Sequence, residues 1–280
     1  MRELFDPNDR RYKYPFINCT QCGSRYTLIT RLPYDRPHTT MAGFPLCAAC
    51  RAEYDDPANR RFHAEPVACA VCGPQLCFVA GEQSVQGNEA ALAACLAALR
   101  AGRIVAAKGI GGYHLLCDAR SEAAVTRLRA RKARPHKPLA LMFPWRGVDG
   151  LAVVREEVAV DDTSARLLAE PARAIVLLSK RADSRLAPSI AAGLQEIGVM
   201  LPYSPMHHLL LDGFGGPLVA TSANISGEPV LTEPAEVEAR LGQVADACLH
   251  HNRPIARPAD DSVLRVIAHQ PRLIRAGRGL

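Results

Sequence analysis

The sequence lacks the patterns that mark membrane and secreted proteins. No run of eighteen apolar residues occurs in its 280 residues, although a membrane-spanning helix needs about that many. The N-terminus, MRELFDPNDRRYKYPF, lacks the charged, apolar and small-residue segments of a signal peptide. We therefore expect a soluble, cytoplasmic protein without a membrane partner, in which Cys-x-x-Cys pairs bind metal more often than they form disulfides.

Familiar loops of nucleotide-binding proteins and hydrolases are also missing. The glycine-rich stretch 108–114, KGIGGYH, is neither a Walker A loop nor a GxGxxG fingerprint. Ser222 does not lie in a G-x-S-x-G elbow, so the sequence does not support a covalent serine nucleophile. Stretch 108–114 is weak support for phosphate binding on its own, because a simple glycine turn between strand and helix explains it equally well.

Composition allows one or two domains with a full apolar core. Hydrophobic residues make up 48% of the chain and charged residues 22%. The net charge is +6, and the sequence pI is about 8.9. These values favour an anionic partner, and they fit a nucleic acid as well as a nucleotide triphosphate.

Cysteine pairs give the strongest local signal. The order Cys47-Ala-Ala-Cys50, eighteen residues, Cys69-Ala-Val-Cys72 places four thiolates at the spacing that binds one tetrahedral Zn²⁺. Gly73 supplies backbone freedom for the second turn. Disulfides or buried thiols are the alternative. Four sulfurs leave no open coordination position, so we expect a structural zinc and no catalysis at this metal.

Residues 1–23 and 51–73 are two copies of one pattern at a constant offset of 50. The matched residues are Glu3, Asp6, Pro7, Arg10, Arg11, Cys19, Cys22 and Gly23 with Glu53, Asp56, Pro57, Arg60, Arg61, Cys69, Cys72 and Gly73. Cys19 and Cys22 are thus candidate metal ligands of a first finger whose other pair would precede Met1, and we expect that finger to be truncated. Alternatively, this half site borrows His38 or His63. We expect the remaining cysteines to be small buried apolar residues: Cys77, Cys95, Cys117 and Cys248.

The texture of the sequence changes near residue 80, and stretch 80–88, AGEQSVQGN, is predicted to be a linker. Beyond it, apolar helical patterns alternate with short β-branched runs, which predicts an α/β fold with at least six strands in a mixed, twisted sheet. The predicted strands are Ile104–Ala107, Leu139–Phe143, Ala174–Leu178, Gly198–Leu201, Leu218–Thr221, Ala247–His250 and Val263–Ile267. The predicted helices are Asn88–Ala101 with Asn88 as cap, Ser121–Arg131, Asp161–Ala169, Pro205–Leu211 and Pro234–Leu241.

Candidate ligand-binding residues gather in loops that follow or precede these strands. Five cations lie within 129–137, which is typical of a solvated helix end, a nucleic-acid patch or a triphosphate site. Stretch 221–229, TSANISGEP, offers hydroxyl and amide groups at a strand's carboxyl end, where open α/β sheets bind ligands. Stretch 250–262 could hold a nucleotide and its Mg²⁺, or Asp260 and Asp261 could simply pair with Arg253 and Arg257.

Taken together, these motifs resemble the HypF-type carbamoyltransferases of NiFe-hydrogenase maturation along nearly the whole chain. In the finger region the resemblance is carried by Asp56–Ala64, Tyr34–Pro37 and Thr39–Met41, and in the later part by Lys108–His114, Gly198–His208 and His251–Ser262. The later part is similar to the YrdC/Sua5 adenylate-forming fold, whose K-x-R and S-x-N tetrad matches Lys132, Arg134, Ser222 and Asn224. The resemblance implies a zinc-finger region at 1–79 and a YrdC-like domain at 88–280, without the acylphosphatase-like and Kae1-like domains of the family.

The resemblance also implies a reaction. The full protein would release carbamate from carbamoyl phosphate, join it to ATP as carbamoyl-adenylate, and pass the carbamoyl group to the C-terminal cysteine of HypE as precursor of a cyanide ligand. This chain would keep the middle step, with Lys132, Arg134, Ser222 and Asn224 as catalytic residues, structural Zn²⁺, ATP and Mg²⁺ as cofactors, and nucleic acid unlikely as a partner. The cofactor-binding candidates are Lys108, Gly111, Gly112, His114, Lys137, Thr221, His251, Asn252, Arg253 and Asp261.

Two other functions compete with this one. Threonylcarbamoyl-adenylate synthesis for tRNA modification uses the same fold, but the zinc repeats and the KGIGGYH loop argue against it. A zinc-stabilised nucleic-acid-binding module is suggested by the Arg10-Arg11 and Arg60-Arg61 pairs and the positive charge. Because these arginines recur at identical repeat positions, we expect packing or ion-pairing within each finger instead.

Overall fold

The computed structural model describes residues 2–20, 25–224 and 228–279. Its strands are β1 (Leu76–Ala80), β2 (Gln83–Gln86), β3 (Val105–Lys108), β4 (Tyr113–Asp118), β5 (Ala140–Met142), β6 (Ile175–Ser179), β7 (Glu196–Met200), β8 (Leu218–Ser222), β9 (Ala247–His251), β10 (Val263–Ile267) and β11 (Gln270–Arg275). Its α-helices are α1 (Arg2–Phe5), α2 (Ala48–Asp55), α3 (Asn88–Arg100), α4 (Glu122–Arg131), α5 (Ala152–Glu157), α6 (Asp162–Ala169), α7 (Pro205–Phe214) and α8 (Pro234–Leu241). Short 3₁₀ turns cover Arg36–His38 and Pro188–Ala191.

All strands of the described residues belong to one mixed sheet of eleven strands, in the order β11-β10-β6-β7-β5-β8-β4-β3-β9-β1-β2. Strands β3 and β9, β5 and β7, and β6 and β10 pair in parallel, and the other neighbours are antiparallel. The mixed-sheet α/β fold predicted from the sequence is confirmed.

Alternating side chains of the central strands divide the core into two layers. Ile104 and Ala106 belong to one buried cluster, whereas Val105 and Ala107 belong to the other. This is the period of two that a strand covered on both faces requires. The predicted helices and strands agree with these elements within a few residues.

The finger region packs against the second layer of this core. Tyr14 and Phe16 share a buried cluster with Leu76 and Phe78 of β1 and with Leu249 of β9. Within the finger region, Arg36 is 9% exposed and ties separate loops together. Its guanidinium donates to the carbonyls of Glu65, Val67 and Phe44 at 2.5, 2.9 and 2.7 Å.

The predicted linker was wrong, because its residues form part of the sheet. β1 and β2 make a hairpin across 80–83, and β1 also pairs with β9. Asn88 does not cap α3; the cap position is Gly87, and the Asn88 Oδ1 accepts from the Leu76 amide at 2.9 Å. Residues 81–86, which form the turn and β2, are mostly polar and exposed, so their local sequence looks like a loop. The division of the chain at 79 and 88 stays a prediction.

Cys95, Cys117 and Cys248 are buried as predicted, but Cys77 is only half-buried and lies beside Ser84 and Gln86.

Within the described part of the chain, none of the helices has the length and hydropathy that crossing a membrane requires.

Candidate active site and metal site

Cys47, Cys50, Cys69 and Cys72 form one cluster whose sulfur atoms all lie within 4.8 Å of one another. The Cys47–Cys69 and Cys69–Cys72 sulfur distances are 3.7 and 3.8 Å. Four sulfurs at 2.3 Å from a tetrahedral Zn²⁺ would be about 3.8 Å apart, whereas a disulfide would be near 2.0 Å. The predicted four-thiolate set is therefore assembled in a geometry that fits zinc.

Local structure explains how the four sulfurs meet. Cys47 is the N-cap of α2 and Cys50 lies in its first turn, while the amides of Cys72 and Gly73 both donate to the Cys69 carbonyl at 3.2 and 2.9 Å. Gly73 is required for a reason other than the expected freedom of its turn. A Cβ atom there would lie 2.0 Å from the Tyr14 hydroxyl, so a larger residue would displace the ring that joins the finger region to the sheet.

The arginine pair of each repeat binds the glutamate of the other repeat. Arg10 and Arg11 of the first repeat bind Glu53 of the second at 2.9 and 2.5 Å. Arg60 and Arg61 of the second repeat bind Glu3 of the first, both at 2.5 Å. Ion-pairing was predicted, but its placement within each finger was wrong, because each carboxylate faces the other repeat. The exchange makes the two repeats one unit.

Two of these arginines also reach a metal ligand. Arg10 and Arg11 donate to the Cys50 sulfur at 3.2 and 3.5 Å, and Arg11 is 2% exposed. Hydrogen bonds of this kind stabilise the thiolate form and orient it toward a metal. Arginines that are paired with carboxylates and a sulfur offer less free charge to a nucleic-acid backbone, which weakens the main feature that favoured a nucleic-acid-binding module.

The predicted half site at Cys19 and Cys22 stays a prediction. Cys19 is exposed, and Cys22 lies outside the described residues. The suggested substitute ligands have other contacts: His38 Nδ1 lies 2.9 Å from the Pro33 carbonyl, and the His63 ring packs against Tyr54 and Phe62.

The candidate active site lies where β3, β8 and β9 end and β4 begins. These three strands run in one direction, since β4 is antiparallel to both β3 and β8, and β9 is parallel to β3. Their carboxyl ends therefore meet at one edge of the sheet, as expected for ligand sites of open α/β sheets. The 132–138 loop enters the same edge before β5. Residues 225–227 of the β8 loop lie outside the described part of the chain.

The K-x-R and S-x-N residues are in direct contact. The Lys132 ammonium donates to the Ser222 carbonyl and, at 3.3 Å, to the Asn224 Oδ1, which also accepts from the Ser222 hydroxyl at 2.9 Å. Arg134 donates to the Thr221 hydroxyl at 3.2 Å. The structure thus brings together side chains that are about ninety residues apart in the sequence.

The charges of this cluster are poorly compensated. Among the described residues, neither Lys132 nor Arg134 has a carboxylate within ion-pair distance. Burial, followed by the charges of Arg134 and Lys137, lowers the pKa of Lys132 to about 7. Burial and the nearby Arg129 and Arg275 also lower the pKa of Arg134. Anions would relieve this repulsion, so the cluster has the electrostatics of a phosphate site.

His114, at the start of β4, pairs in register with Ser222 and so adjoins the cluster. Its Nε2 lies 3.0 Å from the Asp261 carboxylate, and its Nδ1 lies 3.5 Å from the Tyr203 hydroxyl. Arg278 binds the other oxygen of Asp261 at 2.9 and 3.1 Å. His114 and Asp261 are buried, with 7% and 5% of their surfaces exposed.

The alternative pairing of the aspartates with Arg253 and Arg257 was wrong. Asp260 pairs with Arg275 at 2.8 Å, and Asp261 pairs with His114 and Arg278. Arg257 instead donates to the Ile29 carbonyl at 2.5 Å.

The remaining predicted residues make contacts with groups outside the cluster. Lys108 is 2% exposed, donates to the His251 carbonyl at 3.4 Å, and has a pKa that burial lowers to about 8. His251 Nε2 lies 3.1 Å from the Gly109 carbonyl, and Arg253 lies over the Phe16 ring. Asn252 accepts from the Gln75 amide at 2.8 Å, which is a contact to the start of β1.

The glycines of the first loop are required by close approaches. A Cβ on Gly111 would lie 2.4 Å from the Ala259 carbonyl oxygen, and one on Gly112 would lie 2.5 Å from Val230. The 108–114 loop therefore packs directly against the segments that carry Val230 and Ala259. Lys137 is exposed, and its positive charge helps to lower the pKa of Lys132.

Sequence reasoning missed Tyr203, Arg275 and Arg278. Arg275 ends β11, a strand whose exposed residues gave no pattern, and Arg278 follows it. Arg278 lies 17 residues from Asp261 and much further from His114 and Tyr203 in the sequence. The two cations of the Arg-Ala-Gly-Arg run at 275–278 were the available signal.

Fold and site together define a protein in which a four-cysteine finger region is joined to a twisted mixed sheet carrying a Lys, Arg, Ser and Asn cluster. The Sua5/yciO/yrdC family model, described as "Telomere recombination", matches residues 97–277, and the model "HypF finger" matches 1–29 and 46–79. The chain therefore belongs to the Sua5/YciO/YrdC family, in its HypF-type group, and the resemblance found in the sequence is confirmed.

Individual relatives agree with this assignment. "Carbamoyltransferase HypF" of Rhodobacter capsulatus is 50% identical over 275 residues, covering 96% of this chain and 35% of the relative. A crystal structure of full-length HypF in the phosphate- and nucleotide-bound form superposes with a TM-score of 0.92 at 46% identity, covering 99% of this chain and 36% of that one. The chain thus spans about a third of the length of these relatives.

A second group of relatives matches a smaller part of the chain. "Threonylcarbamoyl-AMP synthase" of Stenotrophomonas maltophilia is 30% identical over 172 residues, covering 58% of this chain and 87% of the relative.

Proposed function

We propose that this chain forms carbamoyl-adenylate from ATP and carbamate, as the middle part of a HypF-type carbamoyltransferase. The observation that carries the proposal is the contact between Lys132 and the Ser222-Ala-Asn224 segment, with Arg134 on the adjacent Thr221. A half-buried cationic cluster whose Lys132 and Arg134 pair with no carboxylate of the described residues, placed at the carboxyl ends of strands that run in one direction, suits a triphosphate. The nucleotide-bound HypF relative covers the same part of the fold.

In the proposed reaction, a carbamate oxygen attacks the α-phosphorus of ATP, and the bond between this phosphorus and the α,β-bridging oxygen breaks. The products are carbamoyl-adenylate and pyrophosphate. Lys132 and Arg134 would neutralise the phosphate oxygens as charge builds up in the transition state. Ser222 and Asn224 would hold phosphate or carbamoyl oxygens, and Thr221 would orient Arg134. Mg²⁺ would accompany ATP and shield its β- and γ-phosphates when bound.

Zinc has no part in these steps. The four cysteines would hold Zn²⁺ with no position left for substrate, and its contribution would be to fold the finger region against the sheet. We also propose the division into a finger region at 1–79 and a nucleotide domain at 88–280.

Two steps of the full relay depend on more than this chain. Release of carbamate from carbamoyl phosphate and transfer of the carbamoyl group to the C-terminal cysteine of a HypE-type protein are proposed for the longer protein, of which this chain represents about a third. Threonylcarbamoyl-adenylate synthesis is the competing function, and the similarity to threonylcarbamoyl-AMP synthases favours it. The finger region, which the HypF finger model matches at 1–29 and 46–79, favours carbamate.

Carbamate-dependent exchange between ATP and labelled pyrophosphate tests the proposal on the 280-residue chain. We expect exchange that Lys132→Ala and Ser222→Ala each reduce at least tenfold. The control variant Lys180→Ala, which removes the lysine directly after β6, should leave exchange unchanged. Unchanged exchange in both site variants would show that the assignment is wrong. Pyrophosphate release that requires threonine and bicarbonate would favour the competing function.

A further inference from the structure

The second feature of the site is the buried chain of contacts through His114, Asp261 and Arg278. Both carboxylate oxygens of Asp261 are engaged: Oδ2 faces His114 Nε2 at 3.0 Å, and Oδ1 accepts from Arg278 Nε and NH2 at 3.1 and 2.9 Å. Burial would raise the pKa of Asp261, but the hydrogen bond from His114 and the charge of Arg278 outweigh it and hold the pKa well below its usual range. Asp261 is therefore an acceptor on both sides.

A carboxylate that accepts at Nε2 determines the tautomer of a neutral imidazole. The proton must lie on Nε2, so Nδ1 carries a lone pair and is an acceptor. Arg278 is itself fixed, since it donates to the Ala172 and Arg173 carbonyls at 2.8 and 3.1 Å. The orientation of Asp261, and through it that of His114, is thus determined by a rigid support.

Nδ1 faces the Tyr203 hydroxyl at 3.5 Å, which is at the limit of hydrogen bonding. Gly109 borders this side of the ring. A Cβ on Gly109 would lie 3.1 Å from the Gly112 carbonyl oxygen, 3.4 Å from the Tyr203 hydroxyl and 3.6 Å from Nδ1, so glycine keeps a side chain away from Nδ1. Ser222, in register with His114, places the nucleotide cluster on the adjoining strand.

We propose that His114 Nδ1 accepts a hydrogen bond from a donor attached to the carboxylate carbon of the small substrate, and that Asp261, held by Arg278, is the positioning residue that keeps Nδ1 an acceptor. This inference rests on the proposed function and adds its substrate selectivity. Carbamate carries an N–H and bicarbonate an O–H at that position, whereas acetate carries a methyl group and formate a hydrogen. A buried acceptor left without a donor disfavours the latter two. Because both carboxylate oxygens of Asp261 are then engaged by His114 and Arg278, Asp261 is not available to hold Mg²⁺.

Nitrogen NMR of the ¹⁵N-histidine-labelled 280-residue chain at pH 8.5 tests the tautomer directly. We expect His114 to be protonated on Nε2, and its Nδ1 resonance to shift when carbamate is added together with the α,β-methylene analogue of ATP. Acetate should cause no such shift. A proton on Nδ1, or equal responses to carbamate and acetate, would overturn the inference, and the wild-type protein alone is sufficient for this test.

Asp261→Asn tests the positioning role. Because Arg278 donates twice to Oδ1, the new amide oxygen should stay beside Arg278, which turns the amide NH₂ toward His114 and moves the imidazole proton to Nδ1. Asp260→Asn is the matched control, since Asp260 contacts Arg275 and not His114, and its His114 tautomer should be that of the wild type. An unchanged tautomer in Asp261→Asn would refute the positioning role.

Exchange kinetics separate this inference from the proposed function. In the wild type, we expect kcat/KM for carbamate to exceed that for acetate by at least about tenfold. In Asp261→Asn this preference should shrink, mainly through a raised KM for carbamate with the KM for ATP retained. Absence of any exchange would count against the proposed function, whereas exchange without selectivity, or with selectivity retained in the variant, would count against the role of His114.

Discussion

Nucleotide binding should be accompanied by proton uptake at Lys132. Its ammonium group contacts a carbonyl and an amide oxygen and no carboxylate of the described residues, and burial with neighbouring cations lowers its pKa to about 7. Phosphate oxygens beside the ammonium group would favour the charged form and return the pKa toward its ordinary value of about 10.5.

The size of the effect follows from these two pKa values. At pH 8, a group with a pKa near 7 is about one-tenth protonated, and a group with a pKa near 10.5 is almost fully protonated, so binding takes up about 0.9 proton. At pH 6 the free lysine is already about nine-tenths protonated, and the uptake falls to about 0.1. Since the pKa of the free site is depressed, nucleotide affinity should decrease as the pH rises above 7.

Isothermal titration calorimetry with the α,β-methylene analogue of ATP measures this uptake. At a fixed pH, the slope of observed enthalpy against the ionisation enthalpy of the buffer gives the number of protons bound. Lys132→Met should remove about 0.9 proton from the value at pH 8 and weaken binding, whereas Lys180→Met should leave both as in the wild type. Equal uptake in Lys132→Met and wild type, or uptake that does not change between pH 6 and 8, would refute this account of the cluster.

Three further predictions concern the metal site, the repeat interface and the approach to the imidazole. Metal analysis should find one zinc per chain, lost in Cys69→Ser and retained in Cys248→Ser; two full tetrahedral sites would contradict the half-site interpretation. Glu53→Gln leaves the buried Arg11 without its carboxylate and should destabilise the chain by about 3 kcal/mol in urea unfolding. Asp55→Asn, which breaks the exposed pair with Arg51, should change stability by less than about 0.5 kcal/mol. Equal effects of the two variants would disprove the role of the ion pairs between the repeats. Gly109→Ala should raise the KM for carbamate and leave nucleotide affinity unchanged, and the reverse pattern would place the substrate elsewhere.

The exchanged ion pairs also make stability depend on acid. The hydrogen bonds and charges of Arg61 and Arg60 outweigh burial and lower the pKa of Glu3 to about 2. A carboxylate with a depressed folded pKa contributes stability that is present above its unfolded value near 4.5 and is lost as the pH falls toward 2. Urea unfolding midpoints measured between pH 5 and 2.5 should therefore fall more steeply for the wild type than for Glu3→Gln.

Features set by local spacing were predictable from the sequence. The four zinc ligands were predictable because they lie in two Cys-x-x-Cys turns. The helices at 205–214 and 234–241 were predictable because each begins with Ser or Glu followed by proline and then a helical apolar period. The strands that were found are short buried runs, whose composition reflects coverage on both faces. Four strands of the described residues were missed: β1, β2, β4 and β11. β2 and β11 are edge strands with exposed residues, so burial leaves no pattern in them. β1 and β4 are buried or half-buried, but β1 lies next to the stretch that was predicted to be a linker, and β4 follows a glycine loop that was expected to lead into a helix.

Contacts between distant segments needed the tertiary structure. The sequence placed Glu3 and Glu53 at equivalent repeat positions, but the choice between pairing within a repeat and across repeats depends on how the copies pack. The sequence likewise suggested cationic partners for Asp261. Arg253 and Arg257 were the candidates because they are close to it in the sequence. Arg278 is the partner because the segment after β11 returns beside Asp261, which was not visible from local spacing.

Chemistry carried by residues that are close together in the sequence could be identified without a structure: the zinc ligands, the K-x-R and S-x-N motifs, and the family they indicate. Which side chains share a site depends on the tertiary structure. The order of strands in the sheet brings the ends of β3, β8 and β9 to one edge, and the return of the chain after β11 adds Arg278. Strand order and chain return depend on the packing of the whole core, and no short stretch of sequence specifies them.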